Sequence, residues 1–388
     1  MKSLNIKIFI SPLFLFSLGT FASASPYLYT HLSFFNSYPM YETSYAWIYV
    51  YITGITSFAF GASLIGLRFR YTLKDFNISP TNRIVKACFL SLNIILILLI
   101  YQSLTLYGGI PLLLLAAGEL NANEINELQG ASGGILGLLL LLTFAAIAFT
   151  PILNANGKIH LTLKTMFYAL LFFSMIFTGK RQILFYAFFY LISFYIMYYK
   201  VTFNLDAFRR IARLIPIGLL IIVVIFWMIA VMRTGTNGGI FYPIAHYFSL
   251  PFINNIHMLN LTGLMHTRHF LSIFEIAVPT LFRHLYDLDV VVTQPQLEMT
   301  ISGGLYGRVF WAYGILGVSL YCLLLGIVLQ TIYRLAHRYK FFLFIYPFNV
   351  WPLLMVSTYD HFVNAMMYLI PMTLLLIMRL FYTGFQKL

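Results

Sequence analysis

The amino-acid sequence predicts an all-α, polytopic integral membrane protein with about ten transmembrane helices and one large exterior loop that contains short helices. Of its 388 residues, 61% are hydrophobic, 18% are aromatic and only 9% are charged. A soluble domain is about half apolar and about a quarter charged, so this composition is typical of a membrane protein. The length suits about ten segments of about 20 residues with short connections, which predicts a single membrane domain, 1–388.

The spans are predicted from apolar segments that are long enough to cross the hydrocarbon core with some tilt. The first segment, 6–24, ends in Ala22-Ser23-Ala24, which resembles a signal-peptide cleavage site. We expect an uncleaved span instead, because multi-spanning proteins seldom need a cleaved leader. The other segments are 45–67, 84–107, 130–150, 163–179, 183–199, 214–232, 304–329, 341–358 and 362–382.

The basic residues orient these spans, because cytoplasmic loops are enriched in Lys and Arg. With both termini in the cytoplasm, 18 of the 24 basic residues but only two of the 11 acidic residues lie on the cytoplasmic side. The net charge of +13 then comes mostly from segments that face anionic lipid, and it predicts no nucleic-acid partner. The remaining basic residues, here called the exterior cations, are Lys180, Arg181, Arg233, Arg268, Arg283 and Arg308.

Two exterior segments stand out. Segment 108–129 opens with Gly108-Gly109-Ile110-Pro111 before an apolar stretch that is too short to span, which predicts a half-inserted or surface helix. Segment 233–303 predicts a large loop with short amphipathic helices. Long loops of this kind tend to be functional in compact proteins.

The exterior cations are candidates for binding an anion. Lys180 and Arg181 lie on a hairpin of about five residues, 178–182, where the alternative is a pair that reaches exterior lipid phosphate. Arg233 precedes a glycine-containing stretch whose backbone N–H groups could approach an anion. Arg308 lies early in the eighth span, where a buried cation needs a partner.

Arginine in the loop strengthens the same hypothesis. The planar guanidinium donates two parallel hydrogen bonds to phosphate, so several arginines around one pocket suit a diphosphate. Arg268 and Arg283 lie in the loop with Arg233. The alternative is that these charges form an ordinary solvated surface.

Five of the nine histidines also lie in the large loop. His246 and His269 are candidates for a general base, although an Asp or a Glu could take that role. His266 and His269 are three residues apart, but Arg268 between them would repel a cation and no matched Cys or His set accompanies them. The sequence therefore predicts no metal site and no cofactor.

Four short motifs follow one another in a characteristic order. Gly108-Gly109-Ile110-Pro111 comes after an early span, and Gly179-Lys180-Arg181 forms the hairpin. Arg233 is followed by a Tyr-x-x-x-Pro stretch that begins at Tyr247. Residues 310–317, Phe-Trp-Ala-Tyr-Gly-Ile-Leu-Gly, enter the eighth span. This layout resembles the Wzy family of bacterial O-antigen and capsule polymerases. Ala312-Tyr313 replaces the family's Asp-Phe, so no role of that acid is carried over.

The resemblance implies an inner-membrane glycosyltransferase that acts in the periplasm during lipopolysaccharide or capsule biosynthesis. It would polymerise undecaprenyl-diphosphate-linked oligosaccharide repeat units, with the lipid bilayer as its medium. The exterior cations and Tyr247 would bind the lipid-linked substrate, and Arg233, His246 and His269 would be catalytic. The resemblance also leaves room for a protein partner that regulates chain length.

Two other functions share these sequence features. A flippase or other transporter would favour ionisable groups at mid-membrane, and the predicted spans contain hardly any. An O-antigen ligase, which joins polysaccharide to the lipid A core, needs nearly the same residues as a polymerase, so the sequence barely separates the two.

Overall fold

The computed structural model describes residues 10–28, 46–66, 82–120, 161–177, 181–201 and 304–357, with scattered positions between 124 and 151 and between 213 and 228. All regular secondary structure in these residues is helical, and no strand occurs among them. The predicted all-α class is confirmed for this part of the chain. Segment 362–382 and the large loop 233–303 lie outside the described residues.

The helix boundaries fall close to those of the predicted apolar segments. The scattered positions in 143–151 and 213–228 are also helical, inside the predicted segments 130–150 and 214–232 or at their ends. The helices are α1 Pro12–Leu28, α2 Ala46–Ile65, α3 Asn82–Tyr107, α4 Pro111–Ala117, α5 Leu161–Phe177, α6 Arg181–Val201, α7 Leu305–Ala336, α8 Lys340–Ile345 and α9 Val350–Leu354.

The predicted span 341–358 is not one continuous helix. A 3-10 helix, Tyr346–Asn349, separates α8 from α9, and turns follow α9 at residues 355–357. Pro347 lies inside the 3-10 helix and Pro352 inside α9. Proline has no N–H and its ring clashes with the preceding turn, so each proline interrupts the α-helical hydrogen-bond pattern.

Three of the described helices contain stretches long and apolar enough to cross a membrane: Trp47–Ile65, Phe89–Tyr107 and Tyr313–Ala336. The last of these exposes a stripe of apolar side chains spaced four residues apart, Leu316, Leu320, Leu324 and Val328. The opposite face of the same helix buries Val318, Cys322 and Leu329. An exposed apolar stripe beside a packed face suits a helix that has lipid on one side and protein on the other.

The chain forms two compact units. The described part of one unit contains α1, α2, α7 and α9, and that of the other contains α3, α4, α5, α6 and α8. In the first unit α7 packs along most of α2, and α1 crosses both of them. In the second unit α5 contacts α3, α4 and α6, and α8 packs on α6.

Glycines allow α2 and α7 to approach closely. A Cβ on Gly326 would meet the backbone of Phe58 and Ala62, and a Cβ on Gly61 would meet the backbone of Leu323. Close approach through small residues is the usual way in which helices pack in lipid, where apolar surfaces have no water to avoid.

Polar contacts fix the direction of the same pair. The Ser57 and Ser319 hydroxyls lie 2.9 Å apart near the middle, and the Gln330 side-chain amide donates to the Gly66 carbonyl oxygen at 3.2 Å. Arg334 donates to the carbonyl oxygen of Ile65, the last residue of α2. Residue numbers rise together along both helices, so α2 and α7 run parallel.

Helix α1 runs in the opposite direction to α2 and α7. Phe16 stacks on Phe58 with ring centroids 4.0 Å apart, whereas Thr20, further along α1, contacts Tyr306 at the start of α7. Gly19 faces the end of α9, where a Cβ would lie 2.7 Å from the Leu354 carbonyl oxygen. These relative directions of α1, α2 and α7 are the ones expected if the predicted spans cross the membrane in alternating directions.

The second unit contains an aromatic core and the short helix α4. Tyr190 packs on Phe348 with ring centroids 4.3 Å apart, and Phe194 packs on Phe344 at 4.9 Å. Helix α4 begins at Pro111, a residue whose fixed φ suits the first helical position. Gly108 precedes α4 with φ +69° and Gly118 follows it with φ +74°, so a glycine with left-handed backbone marks each end. The short helix that the sequence predicts after Gly108 is therefore present.

Candidate functional site

The structure describes two of the nine predicted site residues, and both lie in the first turn of a helix. Helix α5 ends at Phe177 and α6 begins at Arg181, so only three residues separate the helices of the predicted hairpin. Arg308 is the fourth residue of α7. The two residues belong to different units. The others lie outside the described residues: Lys180, Arg233, His246, Tyr247, Arg268, His269 and Arg283.

A helix N-terminus is an unusual place for an arginine. The first N–H groups of a helix lack intrahelical partners and carry a partial positive charge, which favours anions and disfavours cations. Neither α6 nor α7 has an acidic residue in its first turn that would offset Arg181 or Arg308. The N-cap of α7 is Gly304, which offers no side-chain cap. Each helix start therefore combines a basic residue with a partial positive charge that no acidic residue in the same turn offsets, an arrangement that suits an anion.

The other end of α7 shows the conventional arrangement. Arg334 lies in the last turn, where a cation interacts favourably with the helix dipole, and it also donates to the Ile65 carbonyl oxygen. Gln330 is fully buried beside this contact and bonds to Gly66. The helix dipole and the contact with Ile65 therefore explain the position of Arg334. They do not explain the position of Arg308, which lies at the end of the same helix where a cation is disfavoured.

The start of α7 is fixed by Tyr306. Its side chain is fully buried, its hydroxyl lies 2.8 Å from the Thr20 hydroxyl, and its ring stacks on Tyr51 with centroids 4.2 Å apart. Phe16 meets the ring edge-on at 6.2 Å, and Gly54 provides the space that a Cβ would otherwise take from the ring. One side chain of α7 is therefore held by both α1 and α2.

Backbone contacts hold the same end. The Leu305 N–H donates to the Val356 carbonyl oxygen at 2.9 Å. Gly304 lies against the backbone of Ser357, where a Cβ would clash. Residues 304–306 are thus fixed by side-chain and backbone contacts in one unit, and Arg308 follows two residues later.

Helix α7 is broken at Gly314. This residue has φ +66° and ψ −163°, so residues 305–313 and 315–336 are two helical segments that meet at a kink. That combination of angles is essentially restricted to glycine. Gly314 belongs to the motif at the entry of the eighth span, but that motif predicts no break in the helix. Two glycines three residues apart in an apolar helix, Gly314 and Gly317, are the signal that could have indicated one.

Metal chemistry is not indicated by the part of the chain that the structure describes, where no three His, Cys, Asp or Glu residues lie together. His266 and His269 are outside that part, so the prediction of no metal site stays a prediction. Cys322 is fully buried in the unit that contains α7, as expected for a packing residue.

Comparison with known proteins gives no match: no family model, no curated protein and no solved structure corresponds to this chain.

Proposed function

We propose that the chain is a multi-spanning glycosyltransferase of the bacterial inner membrane that polymerises undecaprenyl-diphosphate-linked oligosaccharide repeat units at the periplasmic face. The observation that carries the proposal is the position of Arg181 and Arg308 in the first turns of helices that have no acid there. Both the helix terminus and the guanidinium favour a negative charge. Each of these helix starts, on the side of the membrane that should be poor in cations, suits a phosphate group.

The membrane arrangement is part of this proposal. About ten spans place both termini in the cytoplasm and residues 233–303 in the periplasm. The parallel direction of α2 and α7 supports it, since both are required to cross from the periplasm to the cytoplasm. The antiparallel α1 and the unequal distribution of 18 cytoplasmic and six exterior basic residues support it as well.

The proposed reaction is a displacement at an anomeric carbon. The bond between that carbon and the diphosphate oxygen of the donor breaks, and a bond forms to a hydroxyl of the acceptor repeat unit. Negative charge collects on the leaving diphosphate, where fixed guanidinium groups stabilise it. A base such as His246 or His269 accepts the proton of the acceptor hydroxyl. The substrate-binding residues in this scheme are Lys180, Arg181, Arg233, Tyr247, Arg268, Arg283 and Arg308.

Deletion of the gene tests the function. We expect surface polysaccharide to shrink to a single repeat unit attached to lipid, because repeat units still reach the periplasm but are not joined. Gel analysis of the polysaccharide, with the full chain supplied from a plasmid as control, measures this. Complete absence of surface repeats would contradict a polymerase and favour a flippase or a ligase.

Cysteine-accessibility labelling tests the orientation. In a chain with Cys88 and Cys322 replaced by alanine, a cysteine at Thr178 is expected to react from the periplasm with a reagent that does not cross membranes. A cysteine at Asp206 is expected to react only after the inner membrane is permeabilised. The reverse pattern would contradict the proposed orientation, because the exterior cations would then lie on the cytoplasmic side.

A further inference from the structure

Both segments of α7 are attached to the same neighbouring helix on either side of the break. Residues 315–336 follow α2 through the Ser57–Ser319 contact and the close approach at Gly61 and Gly326. Residues 305–313 are held at Tyr306 by Thr20, Tyr51 and Phe16. A straight helix can follow only one direction, so the kink at Gly314 is what lets Tyr306 occupy its pocket while the longer segment follows α2.

We propose that Tyr306 and Gly314 are positioning residues for the anion site, because together they fix the short helical segment 305–313 that carries Arg308. The role of Arg308 in this statement rests on the proposed function. The fixed segment itself rests on the contacts above. Tyr306 precedes Arg308 by two residues and Gly314 follows it by six, so Arg308 lies in a short segment between the buried tyrosine and the kink.

A fixed position of Arg308 matters for phosphate recognition and for catalysis. A guanidinium recognises phosphate through two hydrogen bonds in a fixed plane, and its use against developing charge depends on being in place before the reaction. A helix that could pivot would give up this preorganisation, and small displacements of a catalytic group reduce rates strongly. Burial of Tyr306, whose hydroxyl is hydrogen-bonded to the Thr20 hydroxyl, would prevent that pivot.

Two substitutions are expected to loosen segment 305–313, one at the kink and the other at the contact between Thr20 and Tyr306. Gly314→Ala places a Cβ in a backbone conformation that only glycine adopts readily, so the kink must change. Thr20→Val removes the hydroxyl that meets Tyr306 without altering α7 itself. If Gly314→Ala fails to accumulate, Thr20→Val still tests the proposal.

The first measurement is independent of function. Arg308→Cys, in the full chain with Cys88 and Cys322 replaced by alanine, is labelled by a charged thiol reagent that does not cross membranes. We expect Gly314→Ala and Thr20→Val to change the labelling rate by about fivefold or more, since opening equilibria respond on that scale to small changes in stability. Gly66→Ala is the matched control, because Gly66 also has a positive φ, +85°, but lies at the far end of α2.

The second measurement is binding of undecaprenyl diphosphate to the purified full chain, followed by native mass spectrometry, with undecaprenyl monophosphate for comparison. Arg308→Ala, Gly314→Ala and Thr20→Val are each expected to weaken diphosphate binding by about ten- to a hundredfold, the loss expected for a charged hydrogen bond. Tyr333→Phe, which alters a buried tyrosine near the other end of α7, is expected to bind as the unaltered chain does.

The outcomes separate the two proposals. Unchanged labelling in Gly314→Ala and Thr20→Val would overturn the inference, and so would normal binding in those variants while Arg308→Ala binds weakly. Normal binding in Arg308→Ala together with altered labelling would instead overturn the assigned role of Arg308 and the anion site built on it, and leave only the fixed segment.

Discussion

Gly326→Leu is expected to prevent α2 and α7 from packing and to leave little correctly folded protein. The glycine faces the backbone of Phe58 and Ala62, so no side-chain rotation can make room for the added atoms. Overpacking a core usually lowers the free energy of unfolding by about 1–3 kcal/mol, and rigid backbone on both sides places this case at or above the upper limit. Loss of the monodisperse peak in size-exclusion chromatography of the detergent-solubilised, fluorescently tagged chain would report it.

The matched control is Leu324→Phe. Leu324 lies two residues earlier in the same helix on the face that exposes apolar side chains, with 59% of its surface accessible. An enlarged side chain there extends into lipid instead of a helix, so the elution profile should not change. If both substitutions abolish the monodisperse peak, α7 tolerates added volume on neither face. The effect of Gly326→Leu could then not be assigned to the close approach to α2.

Arg181→Ala and Arg233→Ala are each expected to abolish chain-length extension in cells while the amount of protein stays normal. Removal of one preorganised donor to developing charge typically lowers a rate by about 100- to 1,000-fold, which leaves short products only. Arg→Lys at the same positions should also perform poorly, because a point charge cannot replace a planar two-bond donor. The length distribution of surface polysaccharide on a gel measures both effects.

Arg338→Ala controls for loss of charge alone. Arg338 is exposed just after the C-terminal end of α7, on the side that the charge distribution assigns to the cytoplasm. Polysaccharide length should be normal in this variant. Normal long chains in both Arg181→Ala and Arg233→Ala would rule out the proposed diphosphate site.

Much of the helical arrangement could be predicted from the sequence, because apolar length is a direct physical requirement for crossing lipid. The boundaries of α2, α3, α5 and α6 differ from the predicted segments by no more than a few residues. Segment 341–358 is helical over 340–354 but contains a 3-10 helix, Tyr346–Asn349, that its apolar length did not predict. Pro347 and Pro352 each lack the backbone N–H that an α-helical hydrogen bond needs. A prediction based on apolar length alone does not take this into account.

The pairing of helices could not be predicted in the same way. Ser57 with Ser319 and Gly61 with Leu323 are contacts between positions more than 250 residues apart, and no local pattern specifies which two helices meet. Nothing in the sequence distinguishes Tyr306 from the other 27 tyrosines. Its importance depends on Thr20 and Tyr51, which only the fold brings to it.

The candidate site was predicted as a set of cations on one side of the membrane, and the structure places two of them more exactly than the sequence could. Arg181 was expected on a turn but is the first residue of α6. Arg308 was expected near the start of a span and lies in the first turn of α7. The histidines and the remaining arginines belong to residues 233–303, so their roles stay predictions.

The parallel pairing of α2 with α7 has a consequence for how the protein is made. Synthesis of the chain reaches Ile65, the end of α2, 240 residues before Leu305, the start of α7. At translation rates of about 5–20 residues per second, α2 waits for its partner for about 12–48 seconds. Throughout that time the hydroxyl of Ser57 and the glycine surface at Gly61 have no α7 to meet. The nascent protein therefore passes through a long-lived intermediate in which the α2–α7 interface, the most extensive helix contact in the described part of the chain, is still incomplete.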